Sequence, residues 1–455
     1  MHHSAAVGAL NGMTRRVAIA AIGTMGDVAP FVALSLALQK RGFSVVLGTS
    51  ADFEEFVEGH GVEFHSLGSN IQNFLRMSQF ESVMSRSSLL HMPVLLREGQ
   101  KILKQANREV WTLAQGADAI VFHMNTTFAI DVAEVLDIPA IMTALQPLNP
   151  TGEFPYCAYE GPPLEPLFSR TRLDPILNKL SYVVQSAQQT YNDFPRDRLR
   201  RKLLGLKRPA RGGFTHNSHG QLLPALHAYS AAISPAPADW PETTTVTGFW
   251  RLEDQTGWEP PDDFRAFLER GPAPIYLGFG SMPWGAQRNT EIITKALSIW
   301  GGRAVISQGW GGLKLDELPP TVYAIARAPH TKLFNHVKAV VHHGGAGTTY
   351  AGLYAGRPTF VVPQFFDQPY WGQRVYDLGC GPRPVRLRKL TPAILAQALE
   401  DLDTETSFAA AAMALREKLL LEDGTGRAVD VIEETIADYV PLRSNAAAAA
   451  LRNSA

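Results

Sequence analysis

The sequence predicts an α/β protein with two doubly wound domains facing each other across a cleft. Apolar strands and amphipathic helices alternate along the chain in two separate blocks, which is typical of parallel sheets covered by helices. A proline-rich stretch between the blocks, residues 234–242, has the composition of a linker. The 455 residues suit two domains of roughly 200 residues each.

The first block begins with an apolar run, residues 15–23, that ends in glycine and predicts a buried parallel strand. A helix over 28–41 and a strand over 44–50 complete a strand–helix–strand unit. Further strands of this block are predicted at 62–68, 119–124 and 139–145.

The second block repeats this rhythm after the linker. Strands are predicted at 273–280, 303–307, 321–326, 339–343 and 358–363, and helices at 289–300, 348–355 and over most of 391–439. Ligands of such sheets bind at the carboxyl ends of the strands. Two facing sheets therefore predict a cleft that can hold two substrates.

The composition limits what the protein binds and where it works. Lysine plus arginine number 42 and aspartate plus glutamate 43, a net charge of −1 that argues against nucleic-acid binding. Cys157 and Cys380 form neither a metal spacing nor a disulfide framework, as in a reducing cytoplasm. We expect neither a membrane span nor a signal peptide, and a disordered lead-in over residues 1–14.

The segment HHGGAGTT, residues 342–349, carries the clearest functional signal. It joins a predicted strand to a predicted helix, so its glycines would let an anion approach the positive end of the helix dipole. His343, Thr348 and Thr349 add side-chain donors. For the glycine cluster alone, a tight turn with a helix cap is an equally good interpretation.

A second polar pair favours the anion site. Asp367 and Gln368 follow the next strand, 24 residues after His343, so both segments reach the same edge of the sheet. A carboxylate beside an amide offers a paired acceptor and donor, which suits sugar hydroxyls. The plainer interpretation is a solvated loop that caps a helix.

In the first block, the segment GTMGDVAP at residues 23–30 also lies between a strand and a helix. Its two glycines thin the loop, so that a substrate can approach Asp27. That carboxylate either caps the helix or accepts a proton as a general base.

One segment resembles the donor-binding signature of family-one UDP-dependent glycosyltransferases, VVHHGGAGTTYAGLYAGRPTFVVPQFFDQPYW at 340–371. Residues 278–282, 307–313 and 328–330 resemble the loops of that family that touch the diphosphate and the nucleoside. Residues 238–250 resemble the interdomain segment of its sterol glucosyltransferase and rhamnolipid branch.

The resemblance covers residues 15–440 and implies the GT-B fold, in which two Rossmann-like domains face each other. It implies an acceptor-binding domain over 13–237 and a nucleotide-sugar-binding domain over 238–426. The last helix, 427–443, would return to the first domain.

The activity that the resemblance implies is an inverting, metal-independent transfer of a sugar from a nucleotide donor to a small lipophilic alcohol. UDP-glucose is the expected donor, and a sterol, terpenoid, polyketide or phenol the expected acceptor. Asp27 matches the proposed general base of the family. The donor residues are Ser281, His343, Gly345, Gly347, Thr348 and Thr349 for the diphosphate, Gly280, Met282, Gly309, Trp310 and His330 for the nucleoside, and Asp367 and Gln368 for the sugar.

The acceptor pocket is expected in the first domain. Residues 70–96 are rich in apolar side chains at helical spacing, and methionines such as Met77 and Met84 suit irregular apolar ligands. Ordinary core is the plainer interpretation. A proline-stiffened loop adds Phe154 and Tyr156.

Several alternatives stay open at this point. A TDP-sugar transferase, a nucleotide-sugar epimerase or hydrolase, and an inactive binding protein would share these motifs. The pair Asp401 and Asp403 lies within a predicted helix, so we expect no metal site there and no cofactor. A lipid acceptor would bring the protein into peripheral contact with a membrane.

Overall fold

The computed structural model describes residues 14–68, 74, 77, 91–158, 174–206, 213–254, 257–278, 286–307, 318–325 and 328–441. Within these ranges the chain forms two parallel sheets flanked by helices, which confirms the predicted two-domain α/β fold.

Seven strands of the described chain form the first sheet, in the order β3-β2-β1-β4-β5-β6-β7. The central strands β1 and β4 are continuous apolar runs because helices cover both faces of the sheet. The strands are β1 Arg16–Ala20, β2 Ser44–Thr49, β3 Glu63–Ser66, β4 Ala119–His123, β5 Ala140–Ala144, β6 Ala225–His227 and β7 Thr244–Val246.

The second sheet has five strands in the described residues, in the order β10-β9-β8-β11-β12. Its strands are β8 Ile275–Gly278, β9 Ala304–Ser307, β10 Val322–Ile325, β11 Ala339–His342 and β12 Thr359–Val361. All five match predicted strands.

The helices predicted at 28–41, 289–300, 348–355 and over most of 391–439 are present, whereas several others, among them Glu54–Gly59 and Asp262–Glu269, were not predicted. Those of the first half are α1 Met25–Lys40, α2 Glu54–Gly59, α3 Met92–Leu113, α4 Phe128–Leu136 and α5 Asp174–Leu203. Those of the second half are α6 Asp262–Glu269, α7 Ala286–Trp300, α8 His330–Leu333, α9 Ala346–Tyr354, α10 Gln368–Asp377, α11 Pro392–Thr404, α12 Thr406–Leu420 and α13 Gly424–Ala437.

Strands β6 and β7 had no counterpart in the sequence prediction. Each has three residues, and β7 is a polar, half-buried run, whereas the equally short β12 lies within the longer apolar run 358–363. The proline-rich residues 234–242 lie in the connection between them, within one sheet. The first sheet therefore extends past residue 238, where the second domain was expected to begin.

The last helix, α13, packs against α1 of the first domain. Ala428, Val429 and Ile432 are buried in the same apolar cluster as the strands of the first sheet. At the surface, Arg41 pairs with Asp430 and Glu433 at 2.6 Å each. Exposed ion pairs contribute little free energy, so the buried side chains hold the helix in place.

The chain crosses between the two halves at two places that touch each other. Gly248, with φ of 102°, lies on the outgoing connection, and Gly424 lies on the return. A Cβ at Gly248 would lie 2.9 Å from the Cα of Gly424, and a Cβ at Gly424 would lie 2.6 Å from the carbonyl carbon of Gly248. Only glycine allows the two backbones to pass this closely.

Candidate active site

A cavity of about 1090 Å³ lies between the carboxyl edges of the two sheets. Its walls come from the loops after β1, β4 and β5 of the first sheet and after β11 and β12 of the second. The cleft expected from the parallel topology is thus lined by both halves of the chain.

Asp27 is the third residue of α1 and lines this cavity. Its Oδ2 accepts hydrogen bonds from the backbone N–H of Thr24 at 2.6 Å and from the Thr24 hydroxyl at 3.0 Å. A side chain at Gly23 would clash with this carboxylate, which explains the glycine. Asp27 therefore caps its helix and also faces the cleft, so both predicted roles are open to it.

His123, at the end of β4, is a wall residue of the cavity that sequence analysis missed. Its ring is buried edge-on against Phe31, with the ring centroids 6.0 Å apart. Burial lowers the pKa of His123, and the nearby Asp27 carboxylate and Ile22 carbonyl oppose that shift. Neither ring nitrogen has a hydrogen bond of normal geometry to the described residues. The available signal was a histidine that ends an apolar strand at the ligand edge of the sheet.

The glycine-rich loop after β11 exposes the start of α9 to the cavity. Gly344 has φ of 90°, and a Cβ there would lie 2.5 Å from Cγ1 of Val361. Next to Gly347 there is open space, with no other atom within 4 Å of a Cβ position. The first turn of α9 holds no acidic residue. Gly345, Ala346, Gly347 and Thr348 all line the cavity.

The polar side chains of this loop face either the cavity or the interior of the protein. His343 lines the cavity, and burial lowers its pKa to about 4, so the ring is neutral at pH 7. Within the protein, Nδ1 of His342 accepts the Gly344 N–H at 2.8 Å. Thr349 is also turned inward: it is buried, and its hydroxyl donates to the Gly345 carbonyl at 3.0 Å.

Asp367 and Gln368 lie beside this loop, at the start of α10. The pKa of Asp367 is raised to about 6. Burial is the main cause, and the charge of Asp27 acts in the same direction. The hydrogen bond that Nε1 of Trp371 donates to the carboxylate at 2.7 Å lowers the pKa in part. Two carboxylates from different halves of the chain are thus electrostatically coupled across the cleft.

The amide oxygen of Gln368 is committed to its own loop. It accepts the backbone N–H groups of Gln364 at 2.8 Å and Phe365 at 3.3 Å. Its amide nitrogen is the group that can donate to a ligand hydroxyl.

His330 is the one nucleoside residue of the sequence prediction that the structure describes. It lines the cavity, its Nε2 lies 3.2 Å from the Tyr276 hydroxyl, and its ring stacks on Phe334 at 4.8 Å. Burial lowers its pKa to about 4. The other predicted nucleoside residues and one residue of the predicted diphosphate site lie outside the described residues: Gly280, Met282, Gly309 and Trp310, and Ser281.

The residues predicted for the acceptor pocket are divided by the structure. Tyr156 lines the cavity and is buried, with its backbone N–H bonded to the Ser181 hydroxyl at 2.7 Å. Phe154 packs on Tyr370, with ring centroids 5.5 Å apart. Met77 is half-buried, and Met84 lies outside the described residues.

Within the described ranges, no group of three or more His, Cys, Asp or Glu side chains is arranged to hold a metal ion. Asp403 instead pairs with Lys338, and Asp401 accepts from Nε2 of Gln397 at 2.8 Å. Of the helices that the structure describes, none combines the length and apolar character that crossing a bilayer requires.

The fold and the cleft define the protein as a glycosyltransferase with the GT-B fold. Residues 17–153 match the model of the glycosyltransferase family 28 N-terminal domain, and residues 306–434 match that of the erythromycin biosynthesis protein CIII-like C-terminal domain. The crystal structure of the glycotransferase of kitacinnamycin superposes with a TM-score of 0.66 at 20% identity, covering 93% of this chain and 100% of that one.

Two plant proteins give the family. Sterol 3-beta-glucosyltransferase UGT80B1 of Arabidopsis thaliana is 32% identical, over 94% of this chain and 69% of its own length. UGT80A2, a sterol 3-beta-glucosyltransferase of the same plant, is 34% identical over 92% of this chain and 66% of its own length. The chain belongs to the sterol 3-beta-glucosyltransferase family, as the sequence resemblance predicted, and spans about two thirds of the length of these relatives.

Proposed function

We propose that the protein transfers glucose from UDP-glucose to the hydroxyl of a sterol or a similar rigid, lipophilic alcohol, with inversion at the anomeric carbon. The lining of one cavity by Asp27 and Asp367, from the two halves of the chain, carries this proposal. A single displacement needs the acceptor base and the sugar-holding groups within a few ångströms of the same carbon. Both carboxylates line the one cavity, Asp27 from the first half of the chain and Asp367 from the second, which supports this arrangement.

The donor would bind to the second half of the chain, proposed as residues 238–426. Its diphosphate would lie on the first turn of α9, against the N–H groups of Gly345–Thr348 and the His343 ring, with the Ser281 hydroxyl adding a donor. Helix N–H groups and the dipole would stabilise the charge of the leaving diphosphate. Asp367 and Gln368 would hold the sugar hydroxyls. The nucleoside would lie towards His330, with Gly280, Met282, Gly309 and Trp310 as the remaining predicted contacts.

The acceptor would bind to the first half, proposed as residues 13–237, with 427–443 returning to it. The Thr24 donors stabilise the Asp27 carboxylate through Oδ2, while Oδ1 makes no hydrogen bond to described residues and is open to the acceptor proton. His123, whose ring nitrogens lack partners there, would orient the acceptor hydroxyl.

The lining supports a lipophilic acceptor. Apolar side chains from both halves face the cavity, among them Met25, Met124, Leu145, Tyr156 and Phe366. The Arabidopsis relatives are named for sterols and glucose. Cys157 and Cys380 are buried free thiols, in keeping with the cytoplasmic location that we propose. A membrane-resident acceptor would then be reached by peripheral contact.

The test is an assay of purified protein with UDP-glucose, UDP-galactose and TDP-rhamnose against a panel of sterols, terpenoids and phenols. We expect a sterol glucoside from UDP-glucose, with the β configuration by NMR and with EDTA leaving the rate unchanged. Products from TDP-rhamnose alone would replace the donor in this proposal. Donor turnover without any acceptor would indicate an epimerase or hydrolase, and a rate that EDTA abolishes would contradict the metal-independent mechanism.

A further inference from the structure

Phe366, the residue before Asp367, has a backbone conformation that its side chain disfavours. Its φ is 53°, in the left-handed region. Among the described residues, Asp137 is the other non-glycine residue with positive φ, and it ends helix α4, where aspartate tolerates this conformation. Phe366 ends no helix, and for a bulky side chain this conformation is a genuine outlier.

The turn around Phe366 is held from inside the protein. The Gln368 amide oxygen binds the N–H groups of Gln364 and Phe365, and the Gln368 N–H donates to the Phe365 carbonyl at 3.3 Å. These bonds fix the backbone on both sides of the strained residue. A glycine would make the same turn without strain, so the turn does not explain the phenylalanine.

Core packing does not explain it either. The Phe366 side chain is 50% exposed, and it touches Phe365 edge-on with ring centroids 4.9 Å apart. It lines the cavity at the side of Asp367. An unfavourable backbone that holds an exposed aromatic ring in a cleft is the type of strain found at ligand sites.

The opposite wall has a matching feature. Met25, two residues before Asp27, is 39% exposed and lines the same cavity. Each of the two coupled carboxylates is therefore preceded by an exposed apolar side chain, one from each half of the chain.

We propose that Phe366 is an acceptor-specificity residue supplied by the donor-binding half. Resting on the proposed function, the inference is that its ring packs on the fused-ring skeleton of the acceptor, across from Met25. The donor sugar is less suited to this ring because its hydroxyls require polar partners, which Asp367 and Gln368 provide. A flat apolar skeleton gains from burying both its faces.

The test compares Phe366→Gly with Phe366→Tyr in the full chain. Glycine relieves the backbone strain and removes the aromatic ring, whereas tyrosine keeps the strain and the ring. For Phe366→Gly we expect an equal or higher melting temperature, unchanged UDP affinity and an unchanged KM for UDP-glucose. Its KM for a fused-ring alcohol should rise about tenfold, while that for a single-ring phenol changes less than threefold. Phe366→Tyr should restore the wild-type ranking of acceptors.

Two outcomes would overturn the proposal. A raised KM for UDP-glucose with an unchanged acceptor KM would show that the ring covers the sugar. An unchanged acceptor ranking in an active Phe366→Gly protein would show that the ring contacts neither substrate. Failure of the proposed function looks different, because the wild-type protein itself would then glycosylate no fused-ring alcohol.

Discussion

The two strand–loop–helix segments that face each other across the cleft are built alike, yet only one of them has a carboxylate side chain in the first turn of its helix. Helix α1 follows β1 and α9 follows β11, and the second residue of each helix is glycine, Gly26 or Gly347. The third residue is Asp27 in α1 and Thr348 in α9. In α1 the carboxylate caps the helix start, whereas the first turn of α9 has no acidic residue.

The buried histidines show the same contrast. Nδ1 of His342, behind the second loop, accepts the Gly344 N–H, whereas neither ring nitrogen of His123, beside the first loop, makes a hydrogen bond of normal geometry to the described residues. One structural unit therefore serves two purposes in this protein. With its own carboxylate the unit presents a base, and without one it leaves the positive end of a helix to the anion of a ligand.

The largest effect is expected from Asp27→Asn, which removes the base from the first unit. Turnover should fall at least about a hundredfold, a typical loss for a general base. The asparagine oxygen can still accept the Thr24 N–H, so the melting temperature should change little, and UDP affinity should stay the same. Steady-state kinetics, UDP titration and thermal melting test this; near-normal turnover would refute the assignment.

A carboxylate placed in the second unit tests the comparison directly. Thr348→Asp copies the third residue of α1 into α9. UDP affinity should fall at least about tenfold, because like charges a few ångströms apart repel each other by on the order of a few kcal/mol. Helix α9 itself should gain about 0.3–1 kcal/mol from the added charge. The control is Thr348→Asn, of the same size without the charge. Equal UDP affinity of the two variants would show that no diphosphate binds there.

His343→Ala should weaken UDP binding by about ten- to a hundredfold, since a hydrogen bond to a charged group is worth roughly 1.5–3 kcal/mol. His343→Gln keeps one N–H donor and should recover part of the loss. Because the pKa of His343 is lowered to about 4, the ring stays neutral above pH 5. UDP titrations between pH 6 and 8 should therefore give the same pH profile for the wild-type protein and His343→Gln, because the terminal phosphate of UDP titrates in both, and an inflection that only the wild type shows would contradict the neutral ring.

A smaller, pH-dependent effect is expected at Asp367, whose pKa is raised to about 6. As the pH falls through 6 the carboxylate gains a proton and loses its capacity to accept from sugar hydroxyls. The KM for UDP-glucose should rise several-fold between pH 7.5 and 5.5, while free UDP binds equally well. Asp367→Asn should remove this pH dependence, and changes at Gln368 should alter the preference among donors. Equal loss of UDP and UDP-glucose in both variants would make these residues structural supports.

The smallest effect is expected from His123→Leu. An apolar side chain in place of a buried ring without partners should leave the melting temperature equal or higher. The acceptor KM should rise a few-fold, because the group that orients the hydroxyl is gone. A markedly lower melting temperature with an unchanged acceptor KM would assign His123 to the core.

The sequence predicted those strands and helices that lie in long apolar or periodic runs of residues. The apolar strands of both sheets and the helices between them carry enough residues for their period to be read. Strands β6 and β7 lie in no such run, and because β7 was missed the domain boundary was expected one strand too early.

The site was predictable where spacing brings residues to one sheet edge, as it does for His343 and Asp367. Side-chain direction was not: whether Thr349 faces a ligand or its own loop depends on local packing. The positive φ of Phe366 depends on the local hydrogen bonds of its turn, and the electrostatic influence of Asp27 on Asp367 joins residues far apart in sequence.

The glycine contact between the two crossings has a mechanical consequence. Two separate connections would resist any relative motion of the domains, because each would have to stretch. Here both pass through one point, where the Gly248 and Gly424 backbones touch. We therefore expect any relative motion of the domains to pivot about this contact, because neither connection then changes length. A rotation about one point opens the far side of the cleft most, so substrates would enter and products leave at the rim opposite the two glycines.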